Sequence, residues 1–109
     1  MIIKSITKPT GHENCCHLAY ATSIWGNMAA KGMGCNVTVA SYKSKADFES
    51  GKQSDVETTV DIDATECIKS AVVIDKDGNK TFNASAFYAK AEDILIADPN
   101  SPFFGGILE

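Results

Sequence analysis

The chain has 109 residues, 44% of them apolar and 22% charged, which suits one soluble domain with a core of its own. Ten Lys and Arg against fourteen Asp and Glu leave a formal net charge of −4, which excludes nucleic acid as the main partner because phosphate binding needs a concentrated basic face. No run approaches the roughly 18 apolar residues of a membrane span, so no membrane partner is expected.

Residues 1–14 open on an apolar pulse, Ile2, Ile3 and Ile6, followed by the turn formers Pro9, Thr10, Gly11 and Asn14. They read as an N-terminal arm and loop. Residues 15–98 then form a single β-rich domain, and residues 99–109 an apolar C-terminal tail.

Within residues 15–27, Cys16, Leu18, Tyr20, Thr22 and Ile24 recur at period two and predict a strand with these side chains on one face. A helical stripe of Leu18, Ala21, Thr22 and Trp25 competes. Tyr, Thr, Ile and Trp favour the strand, and Gly26 cuts a helix short. Glycines at 32 and 34 suggest a reversal. Residues 35–42 then alternate cleanly, with Cys35, Val37 and Val39 on one face, completing an antiparallel hairpin.

Ser44 caps a helical turn over residues 44–51, with Asp47 at the capping-box position, Phe48 as its anchor and Gly51 as its end. In residues 55–62, Val56, Thr58, Val60 and Ile62 face one way and Asp55, Glu57, Thr59 and Asp61 the other, the pattern of an antiparallel strand. Asp77-Gly78 between the apolar runs 71–75 and 80–82 marks a tight hairpin. Asn83 caps a helix over residues 84–97, with Phe87, Ala91, Ile94 and Leu95 at helical spacing and Asp98-Pro99 as its stop. The fold class is α+β: a mainly antiparallel β-sheet or small β-sandwich of about five strands, one helical turn and a C-terminal helix.

The stretch from His12 to His17 holds the densest chemistry. His12, Cys15, His17 and Cys35 are possible zinc ligands, and a cysteine beside His12 or His17 is a possible nucleophile. Paired knuckles are missing, however, and no frame for an oxyanion appears. Without a secretory signal the four cysteines read as free thiols in a reducing compartment. Asp55, Glu57, Asp61 and Asp63 share the solvated face of a strand, and Asp75 to Asn79 fits a turn better than a calcium loop, since Ala86 stands where its closing Glu belongs. No phosphate-cradling or dinucleotide motif occurs, so no cofactor is expected and no catalytic residue is assigned. The apolar ends, Ile2, Ile3 and Ile6 with Phe103, Phe104, Ile107 and Leu108, either dock on the chain's own core or form an interface.

Residues 39–53 (VASYKSKADFESGKQ) resemble small structural proteins of tailed-phage virions, in which a strand ends in Tyr, a serine-capped turn follows, and Gly-Lys leads into the next strand. Residues 101–106 (SPFFGG) are similar to the Phe-Gly-containing ends of such proteins. The resemblance covers about a third of the chain. It implies a non-enzymatic structural role in a tail, baseplate, neck or capsid-associated assembly, with other copies of the chain and other virion proteins as partners. It also implies location in a virion assembled in the host cytoplasm. The alternative is a small metal-binding or regulatory domain using residues 12–17.

Overall fold

The computed structural model describes residues 1–7, 11, 13–27 and 32–109. Seven strands and three helices follow one another as β1 (Ile2–Thr7), β2 (Glu13–Asn27), β3 (Gly32–Tyr42), α1 (Lys45–Glu49), β4 (Val56–Asp63), α2 (Thr65–Ala71), β5 (Val72–Ile74), β6 (Lys80–Phe82), α3 (Ala84–Ala97) and β7 (Ile107–Leu108). Five strands make one sheet in the order β4-β3-β2-β1-β7, with every pairing antiparallel. Strands β5 and β6 pair only with each other. The chain is thus an α+β domain, and helices rather than a second sheet cover the core. At about 3.3 Å per residue, the 15 residues of β2 account for the 50 Å long dimension of the molecule.

The alternation of β3 decides which face is covered. Cys35, Val37 and Val39 are fully buried, and their register partners Ile62, Val60 and Thr58 lie on the same face of β4. On β2 the partners of that face are Ile24, Thr22, Ala19 and His17, and on β1 it is Ile2. Against it pack Cys67 and Ala71 of α2 and Phe87, Ala91 and Leu95 of α3, all fully buried. α1 stands on the opposite face, where Phe48 meets the Tyr42 ring edge-on at 5.2 Å.

The expected single face of β2 is corrected by a bulge. Register slips between Ala19 and Ala21, so Tyr20 is unmatched. Cys16 and Leu18 therefore lie on the face away from α2 and α3, whereas Thr22 and Ile24 lie on the helix side. The N-terminal arm is corrected too: Ile2–Thr7 is a strand inside the sheet, held between β2 and β7. α2 was not foreseen. Just before its N-cap, Ala64, Asp63 Oδ1 accepts from the Thr65 amide at 2.8 Å, and hydrogen bonds from Thr65 hold the Asp63 carboxyl below its ordinary range. The other helices match expectation, with Ser44 Oγ accepting from the Asp47 amide and Asn83 Oδ1 from the Ala86 amide. The anticipated reversal between β2 and β3 falls partly on residues 28–31, outside the described residues.

The tail returns to the sheet. Gly105 takes φ +82° and donates to the Ile96 carbonyl, and a Cβ on Gly106 would stand 2.6 Å from Ile2 Cγ2. Only glycine lets the chain pass this close to β1 before β7 pairs with Ile2 and Ile3.

One buried carboxylate ties the layers together. Glu92 of α3 accepts from the Met1 ammonium at 2.7 Å through Oε1 and from the Ala19 amide at 3.1 Å through Oε2. Removing one member of a buried ion pair strands the other. Glu92→Ala should therefore lower stability by about 3–5 kcal/mol, and Glu92→Gln, which keeps a hydrogen-bonding oxygen, by less. Urea unfolding followed by circular dichroism measures both.

Candidate functional site

The residues singled out for metal or nucleophilic chemistry are built into the fold separately. His17 sits on the helix side of β2, is fully buried, and packs on the Phe103 ring with centroids 5.0 Å apart. Nε2 lies 2.8 Å from the Lys4 carbonyl oxygen, which can only accept, so Nε2 carries the proton. Nδ1 then accepts from the Ser41 hydroxyl at 2.7 Å. Both ring nitrogens are occupied, and burial pushes the His17 pKa below its ordinary value, only partly opposed by the hydrogen bond to Lys4.

Cys35 lies six residues along β3 from Ser41, the register partner of His17. At strand rise that is about 20 Å, far beyond a shared coordination sphere. Cys15 is half-buried, and His12 lies outside the described residues. His17 and Cys35 therefore do not converge, and among the described residues no three His, Cys, Asp or Glu side chains cluster to hold a metal.

Three of the four thiols are likewise unsuited to attack. All four cysteines are free, with Cys16, Cys35 and Cys67 buried. Burial raises the pKa of each of these three, and Cys67, next to Cys35 in the core, is pushed up to about 11. The acidic row behaves as expected of a solvated face: Glu57, Asp61 and Asp63 are exposed, and Glu57 accepts from the Tyr20 hydroxyl, which raises the Tyr20 pKa. Asp75 closes a turn by accepting from the Asp77 and Asn79 amides at 2.9 and 2.8 Å.

A cavity of about 300 Å³ opens between β2 and α3, lined by Leu18, Ala19, Ser85, Tyr88, Glu92 and neighbours. Its acid, Glu92, is already committed to Met1 and Ala19.

The surface offers more. Every residue from Val72 to Phe82 is exposed, including Val73 (50%), Ile74 (61%) and Phe82 (58%). A second apolar group at the chain end holds Phe104, Ile107 (70%) and Leu108, while Tyr20 and Ile24 are open along β2. The predicted interface set therefore divides. Ile2 and Phe103 belong to the core, where no partner reaches them, and Ile3 and Ile6 are half-buried. Phe104, Ile107 and Leu108 remain accessible. The hairpin itself forms where Asp77-Gly78 predicts it; what the apolar runs beside it do not reveal is that both strands stay exposed. The brevity of its flanks, three residues each, was the available signal. Comparison with family models, curated proteins and solved structures finds no match for this chain.

Two outcomes follow from this chemistry. With the His17 pKa depressed, the unfolded chain binds a proton below its ordinary value of 6.5 that the folded chain refuses. Stability is thus complete above about pH 6.5 and falls as pH descends toward the lowered folded value. The urea midpoint should drop between pH 7 and 5, and drop less in His17→Gln. For the thiols, reaction with an aromatic disulfide reagent at pH 7.5 should label Cys15 in native protein and all four cysteines only after unfolding.

Proposed function

We propose that this chain is a non-enzymatic structural component of a multi-subunit assembly, working through contacts with copies of itself and with other proteins of that assembly. The observation that carries the reading is the β5–β6 hairpin. Two three-residue strands are too small to be stable alone, and here they hold Val73, Ile74 and Phe82 out to water. Exposed apolar surface of this kind marks an interface, because its burial by a partner recovers the hydrophobic free energy left unused in the single chain.

The kind of assembly rests on the resemblance of residues 39–53 and 101–106 to tailed-phage virion proteins. It supports a place in a tail, baseplate, neck or capsid-associated structure, and location in the virion. The internal use of His17, Cys35, Cys67 and Glu92 supports the non-enzymatic side of the reading, since each of these groups is spent on the fold. The separation of His17 from Cys35 takes one pairing away from the metal-binding alternative.

Size-exclusion chromatography with light scattering tests it. The wild-type chain should associate beyond its 11.6 kDa mass in a concentration-dependent way. A Val73→Lys/Ile74→Asp double variant should shift that association to higher concentration, with stability changed by no more than about 0.5 kcal/mol, as for other surface sites. A wild type that stays a single chain at every soluble concentration overturns the reading.

A further inference from the structure

Of the sheet's open edges, one lacks any protection. The β4 edge carries Glu57, Asp61 and Asp63. At the other side of the sheet the outermost strand β7 is only two residues long, and on β1 beside it the Lys4 ammonium donates to the Pro102 and Phe104 carbonyls at 3.1 and 2.6 Å. Charges, short strands and covering segments are the ordinary means of stopping edge-to-edge pairing.

The third edge belongs to β2. β1 pairs with β2 only as far as Ile2↔His17, whereas β3 continues along the other side to Asn27↔Gly32. Among the described residues no strand pairs with residues 18–27 on the β1 side. The Ala19 amide is taken by Glu92, and beyond it residues 21–27 present a backbone edge of about 23 Å at strand rise. Residues 18–27 (LAYATSIWGN) contain no charge and no proline. Ile24 lies on the helix-side face yet is 41% exposed, so the apolar row of the core runs on past the helices that cover it.

We propose that the β2 edge is a strand-addition site whose occupant is β2 of a second copy, paired antiparallel about a two-fold axis near Ser23. This rests on the assembly reading above and names its contact. Charge selects the occupant. Each copy carries a net charge of −4 and an acidic β4 edge, so pairing through β4 sets like charges together, while two uncharged β2 segments meet without repulsion. The pairing sets Thr22 opposite Ile24 of the partner subunit on the helix-side face, a β-branched pair of the kind that stabilises sheets.

The axis, perpendicular to the sheet, also puts both helix layers on one side. From Glu92, near Ala19, to Ile96, near Ile2, α3 runs toward His17; its N-terminus therefore points toward Thr22 and Ile24. The apolar β5–β6 hairpin hangs from that end, with Phe82 against Phe87 at 6.0 Å. One symmetric contact thus pairs the two uncharged edges and leaves both hairpins on the same side of the sheet.

The test is light scattering on the full chain with Ser23→Lys and Ser23→Glu, at an exposed residue where each variant sets like charges against each other across the axis. Wild type should reach twice the 11.6 kDa chain mass. Each variant alone should dimerise at least about tenfold more weakly, and an equimolar mixture should recover dimer because the charges become complementary. Asp61→Asn, on the β4 edge, should dimerise as wild type does. An oligomer unaffected by both Ser23 variants overturns the β2 contact and leaves the assembly reading standing. So does an oligomer that the mixture fails to restore. A wild type that is always a single chain overturns both.

Discussion

Much of this architecture turns on where the carboxylate of Glu92 places its two oxygens. One oxygen holds the Met1 ammonium and the other the Ala19 amide, so a single side chain fixes α3 to the sheet at the point where β1 stops. An acid in such surroundings is tolerable only when paired and hydrogen-bonded, and here both conditions hold. The same contact takes up the last β2 amide before the Tyr20 bulge. Past that point β2 runs on with β3 alone. The clamp and the open edge beyond it thus meet at Ala19.

The remaining buried polar groups follow the same logic. His17 bridges β1 and β3 through the Lys4 carbonyl and the Ser41 hydroxyl, and its ring also closes over Phe103 of the returning tail. The Cys35 and Cys67 thiols fill space between sheet and helix as small apolar groups. None of these groups reaches water in a form ready for chemistry. What faces water and is unusual for a single chain is apolar: the β5–β6 hairpin, the chain end and the exposed stretch of β2.

Most of the regular elements were legible in the sequence for definite reasons. β3 and β4 alternate because one face is dry and the other wet, and α3 announces itself through Asn83 and the Phe87-Ala91-Leu95 stripe. The bulge was not legible, since one unmatched residue at Tyr20 turns a perfect period of two into two half-strands facing opposite ways. α2 was available: Asp63 and Glu66 form a capping pattern, and Ala64, Cys67, Ile68 and Ala71 recur at helical spacing. Its seven residues lie between two β-like runs that drew attention away. Sequence left open whether the chain ends dock on the core or form an interface, because the pairing of β1 with β7 joins residues from opposite ends of the chain. Glu92 interrupts the apolar surface of α3, a sign of a buried partner that local pattern cannot identify.

Amide hydrogen exchange on the wild-type chain, followed from dilute to concentrated protein, bears most directly on the idea that this molecule acts through the surface it leaves uncovered. Protection that rises with concentration in residues 21–27 and 72–82, and stays constant in the core of β3, is the predicted result. Exchange in both segments that is independent of concentration would contradict it.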